Sequence, residues 1–182
     1  MFTLNKRVFG IFAVIVSLLL IPFIAMQFTD EVQWDVTDFM IMGSVLILIV
    51  FSYELIARRS DKTNYRVGFG VGLLGAFLLF WVNGAVGIIG SEDQPANLLY
   101  GLVFLTGFIG SLLSRFKSKG MARTLFAVAA VQMLVPVTAL FIWPPPDTSW
   151  SPSVFGVFWM SAFFAMLFVV SGFLFNRAVK ND

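Results

Sequence analysis

Six polar side chains embedded in or beside long apolar stretches are where this chain could do chemistry: Glu54, Asn83, Glu92, Asp93, Asn97 and Gln132. Asn83 follows the run Leu78-Leu79-Phe80-Trp81-Val82. Its amide could ligate an ion or a polar solute. It could equally bond to a neighbouring helix, a contact that contributes about 0.6–2 kcal/mol in a membrane, and that is the plainer expectation. Gln132 poses the same choice with something added. Pro136 has no N–H to offer the carbonyl four residues back, which is Gln132's own, so a polar side chain and a freed carbonyl fall on one residue. Pro22 makes a similar break in the first apolar run, and both prolines are expected to kink their helices. Freed carbonyls can coordinate ions where they line a cavity; otherwise a side chain or water satisfies them. Asn83 stands seventeen residues beyond Arg66 and Gln132 nine beyond Arg123, a depth difference of ~12 Å at 1.5 Å per residue. Straight helices would keep the two amides apart.

The carboxylates divide by place. Glu54 is the one acid expected within a membrane span, where an acid is a functional candidate by default. Arg58, four residues on, would share its helix face and pair with it near the headgroups. The segment Ser91-Glu92-Asp93-Gln94-Pro95-Ala96-Asn97 is dense in oxygen donors and could hold a hard cation. It could also simply start a helix, with Asp93 or a neighbour as cap and Pro95 in the first turn. The chain has no Cys and no His, which removes disulfides, thiolate nucleophiles, imidazole bases, and His/Cys zinc or His-ligated haem sites. No nucleophile–base pair, metal-ligand spacing or phosphate loop is present in the sequence. The expectation is therefore no enzyme, no catalytic residue, no metal and no cofactor.

These residues must be positioned by membrane helices. Of 182 residues 59% are hydrophobic and 12% charged, against about 25% charged in soluble domains. The twelve Lys and Arg fall in four clusters: Lys6 and Arg7; Arg58, Arg59, Lys62 and Arg66; Arg115, Lys117, Lys119 and Arg123; Arg177 and Lys180. Between them lie long apolar runs, broken on the other side by Gln27–Thr37, Ser91–Pro95 and Pro144–Ser153, which carry Asp30, Glu31, Asp35, Glu92, Asp93 and Asp147. Basic residues on alternate loops orient an inner-membrane protein. The pattern predicts an all-α polytopic membrane protein in one domain, with both termini cytoplasmic and six transmembrane helices arranged as three hairpins. The expected spans are 8–26, 38–57, 67–90, 96–114, 124–143 and 154–175, each near the roughly 20 residues a span requires. The first, running from Val8 to Met26, is too long for a signal-peptide core and has no small-x-small cleavage site. Trp34, Tyr100, Trp143 and Trp150 are expected as outer interface anchors, and Tyr53 and Tyr65 as inner ones.

Small residues suggest which helices meet. Gly68, Gly72, Gly75 and Gly87 lie at steps that place them on one face of the third helix together with Asn83, and Gly107 and Gly110 line the fourth. A close third–fourth hairpin follows. Trp143-Pro144-Pro145-Pro146-Asp147 ends the fifth helix in a stiff, polyproline-like segment, either a spacer or a docking epitope.

The block Trp81-Val82-Asn83-Gly84-Ala85-Val86-Gly87-Ile88-Ile89-Gly90-Ser91-Glu92-Asp93-Gln94-Pro95-Ala96-Asn97 resembles the signature segment of a group of uncharacterised small bacterial integral membrane proteins. Tyr53-Glu54-Leu55 and Gly120-Met121-Ala122-Arg123 are similar to that group as well. Gln94 stands where the group has Asn, a change that keeps the amide. The resemblance covers about half the chain and implies a bacterial membrane location, with no activity attached.

Two function classes remain. One is an accessory or assembly protein that docks on another membrane protein through its glycine faces and Pro-rich loop, and this is the favoured expectation. The other is an oligomeric permease or cation-channel subunit with an outer mouth formed by Asn83, Glu92 and Asp93. Partners are the lipid bilayer and a second membrane protein or further copies of the chain. Basic residues split into short juxtamembrane clusters suit anionic headgroups and speak against nucleic acid.

Overall fold

A chain this apolar has no water along most of its length to satisfy its amides, so helices that bond internally are the available solution. The computed structural model describes residues 2–29 and 33–180, with the backbone alone at 2–8, 59 and 180. Asp30 and Glu31 of the first acidic loop lie outside the described residues. The described chain forms six α-helices: α1 (Phe2–Ala25), α2 (Val36–Leu55), α3 (Thr63–Ala85), α4 (Gly101–Leu113), α5 (Ser118–Ile142) and α6 (Val154–Lys180). Short 3-10 helices occupy Ala57–Arg59 and Pro95–Tyr100. Among the described residues, five segments are long and apolar enough to cross a membrane: α2, α3, Pro95–Leu113, α5 and α6. In α1 the described apolar stretch is Phe9–Ala25.

The helix limits differ from expectation mostly at the basic ends. α3 takes in Arg66, α5 takes in Lys119 and Arg123, and α6 continues past Arg177. Charge does not end a helix at an interface, because long basic side chains carry their heads to water while the backbone stays helical. At the other end α3 stops at Ala85, short of the expected 90. α2 starts at Val36 because Asp35 and Asp38 cap it reciprocally: the Asp35 N–H donates to Asp38 Oδ2 (2.8 Å) and the Asp38 N–H to Asp35 Oδ1 (3.0 Å). This is the two-way capping arrangement that satisfies orphan N–H groups at a helix start. α1 and α5 remain helical through Pro22 and Pro136.

The chain divides into two compact units, Met1–Leu55 and Ile56–Asp182. In the first, α1 packs on α2. Leu19 lies against Gly43, and at one end Phe39 meets both Phe23 (6.4 Å between ring centres) and Trp34 (5.2 Å), each edge to face.

In the second unit α5 and α6 form the central pair, with α3 against α6 and α4 against α5. The expected α3–α4 hairpin is not among the packed pairs. The fifteen-residue connection 86–100 is long enough to separate the two helices, and the small-residue faces meet α6 and α5 instead. Gly68 lies against Leu174 and Phe175, Gly72 against Ser171 and Leu125, and Gly75 against Leu167 and Phe168. Gly107 lies against Val128, and Gly110 against Thr124. Small-against-large contact lets the backbones approach and leaves dispersion contacts intact, which is what holds helices together in lipid.

Bonds at each end of this unit define two poles. At one, Lys62 Nζ donates to the Ala178 carbonyl (3.1 Å), Arg66 Nε to the Ser60 carbonyl (2.7 Å), and the Tyr65 hydroxyl to the Phe116 carbonyl (2.7 Å). The basic clusters of the unit gather there. At the other pole lie Glu92, Asp93 and Asp147.

Candidate functional site: a stapled cap above buried amides

The acidic pole is closed by a compact cap, residues 86–100, which contains most of the block quoted above for its resemblance. Asn97, 4% exposed, holds it. Its Oδ1 accepts from the Ile88 and Ile89 N–H groups (3.1 and 2.9 Å), and its Nδ2 donates to the Ile89 and Ser91 carbonyls (3.1 and 2.6 Å). Both lone pairs and both hydrogens of the carboxamide are thereby taken up, and the oxygen expected to serve a cation has none left to offer. Ile88 and Ile89 are buried beneath.

The cap turns on two glycines in the left-handed region, Gly87 (φ 69°) and Gly90 (φ 74°). A Cβ on Gly87 would strike the Ser91 carbonyl and the Asn97 amide, and one on Gly90 would come within 2.6 Å of the Ser149 carbonyl oxygen. Gly87 is therefore a turn residue rather than the helix-packing residue its spacing suggested. Gly90 brings the cap against the Pro-rich connection, which is itself closed by Trp150 Nε1 donating to the Trp143 carbonyl (2.8 Å). Trp150 is buried, not an interface anchor.

Glu92 and Asp93 stand exposed on the cap. No group of three or more acidic, His or Cys side chains that could hold a metal occurs among the described residues. Asn83 is partly buried and its Nδ2 donates to the Asn97 carbonyl (3.3 Å), while its Oδ1 is buried without a partner. Glu54 is half-buried at the end of α2, which stops at Leu55.

Below the cap the interior stays polar in places. Tyr100, which the sequence suggested as an interface anchor, is fully buried, and its hydroxyl pairs with Ser161 Oγ on α6 at 2.8 Å. Ser171 Oγ donates to the Gly68 carbonyl (2.6 Å) and ties α6 to α3. Gln132 on α5 is 0% exposed, and neither Oε1 nor Nε2 has a partner.

Contacts along the helices give the levels. Gly68, Gly72 and Gly75 face residues 174–175, 171 and 167–168 in turn, so Asn83, two turns further, falls opposite Met160 and Ser161. Phe126 meets Gly172 and Phe173, which carries Gln132 to about residue 166. The two amides therefore sit roughly 8 Å apart in depth at 1.5 Å per residue, closer than the sequence count implied and still not paired. Tyr100 and Ser161 lie near the level of Asn83. Sequence reading missed both. Ser161 and Ser171 are the polar residues of α6 before Asn176, and that interruption of an apolar run was the available signal.

No family model matches the chain, and no curated protein or solved structure matches it.

Proposed function

We propose that the chain is a non-enzymatic, multi-pass protein of a bacterial inner membrane, with both termini cytoplasmic, whose second unit binds and passes a small polar solute. Orientation is supported by the positive charge collected at one pole of that unit and the acidic residues at the other, since loops rich in Lys and Arg stay on the cytoplasmic side. The observation that carries the functional reading is the set of buried amide atoms without a partner, both of Gln132 and Oδ1 of Asn83. Leaving a buried donor or acceptor unmet costs about 1–3 kcal/mol, and such groups in a membrane interior mark functional positions. A file of buried polar side chains (Asn97, Tyr100, Ser161, Gln132, Ser171, Thr124) runs from the acidic toward the basic pole.

The accessory reading draws on different surfaces than expected. Gly68, Gly72, Gly75, Gly107 and Gly110 already face α6 or α5, so they do not offer themselves to another protein. What favours docking is the exposed stretch Pro144 to Asp147. Native mass spectrometry of the protein in lipid nanodiscs separates the two. A bound small molecule, with one copy or several of the chain, supports the solute reading. A stoichiometric second polypeptide, lost when Pro144, Pro145 and Pro146 are replaced by Ser, supports docking and counts against it.

A further inference from the structure

This inference rests on the solute reading and names the class of solute. Among the described residues of the second unit, the buried side-chain atoms without a partner are two acceptors, Asn83 Oδ1 and Gln132 Oε1, and one donor nitrogen, Gln132 Nε2, which carries two hydrogens. No Asp, Glu, Lys or Arg is buried among the described residues. Four of the other interior polar residues are occupied: Asn97 by the cap, Tyr100 and Ser161 by each other, and Ser171 by the Gly68 carbonyl.

A cation brought to Gln132 would meet one carbonyl oxygen and, on the same planar group, a nitrogen presenting hydrogens. An anion would meet the reverse. In either case the ion loses its hydration with no opposite charge to replace it, a penalty that two or three neutral hydrogen bonds do not offset. A neutral molecule with a donor and an acceptor on adjacent atoms satisfies both ends of the Gln132 amide at once, in the paired geometry two amides adopt.

We propose that Gln132 is the selectivity-determining residue for an uncharged solute with adjacent hydrogen-bond donor and acceptor, the chemistry shared by urea and small primary amides. Gln132 has no exposed surface, so the arrangement seen here is the closed one, and α5 must part from its neighbours to admit the solute. Pro136 lies one turn from Gln132 and cannot donate to the Gln132 carbonyl, which leaves α5 held by one backbone bond fewer at the level where it has to give.

The test uses the full chain in phospholipid vesicles, with stopped-flow swelling on urea and acetamide and separate flux assays for K⁺ and Cl⁻. Wild-type protein is expected to raise urea and acetamide permeability over protein-free vesicles and leave both ions unchanged. Gln132→Leu and the better size match Gln132→Met are expected to lower the neutral flux by about tenfold, the factor that one or two lost hydrogen bonds make. Both variants should unfold at a higher temperature than wild type, because the unmet amide is gone; this also shows that they are folded. Gln132→Asn, which keeps a shorter amide, should recover part of the flux. K⁺ or Cl⁻ flux in place of neutral flux would overturn the solute class, and neutral flux indifferent to both substitutions would overturn the role of Gln132; the solute reading stands in both cases. Absence of flux for all four probes would remove the solute reading itself.

Discussion

At Asn97 one carboxamide replaces what would otherwise be several separate backbone partners. Replacing it with Ala leaves the Ile88 and Ile89 N–H groups and the Ile89 carbonyl unmet beneath the cap, and should lower stability by about 3 kcal/mol, read as a fall in thermal unfolding temperature in detergent. Asn97→Asp is the sharper probe. It keeps the two acceptor contacts but turns a negative oxygen toward the carbonyls of Ile89 and Ser91, and should be at least as damaging as Ala. A wild-type melting temperature for the Asp variant would mean that the staple does not hold the cap. Sequence alone could mark Asn97 as chemically active, because it stands in a dense run of polar groups. It could not separate ligand from staple, because that distinction depends on where Gly87 and Gly90 turn the chain.

Among the helices, glycine spacing showed which faces would be close-packed and misidentified their partners. Gly68, Gly72 and Gly75 lie on a contact face, but a small-residue stripe carries no label for the helix that covers it, and α6 rather than α4 covers this one. The consequences differ by site. Gly75→Leu places a side chain where even a Cβ would lie 3.2 Å from Leu167 and Phe168, and should cost about 1–3 kcal/mol by overpacking. Gly84→Ala, with nothing within 4 Å, should stabilise by about 0.5–1 kcal/mol through helix propensity. Comparing their unfolding temperatures tests the arrangement, and equal effects would contradict it. The α4–α5 turn places Arg115 (φ 49°) and Phe116 (φ 57°) in the left-handed region. Arg115 is exposed, so Arg115→Gly loses no buried contact and should gain about 1 kcal/mol; a drop in stability would show that its side chain matters there.

On the scale of the whole chain, helix number and class were legible because apolar length is a strong signal, whereas the course of α3 beyond Ala85 was not, since the cap residues Val86, Ile88 and Ile89 are as apolar as the helix before them. Orientation can be tested directly, because a chain without Cys accepts single thiols as reporters. Asp93→Cys should react with a membrane-impermeant maleimide in spheroplasts, and Lys119→Cys only after permeabilisation; the opposite pattern would invert the topology. α3 is covered by α6, whose contacts with it lie about a hundred residues later in the chain, as in the bond from Ser171 to the Gly68 carbonyl. During synthesis α3 enters the bilayer long before its covering helix leaves the ribosome, and its glycine face must wait in lipid or against a resident insertase. A nascent chain interrupted before Val154 would present α3 and α5 together as unclaimed surfaces, the form in which membrane quality control should recognise and remove it.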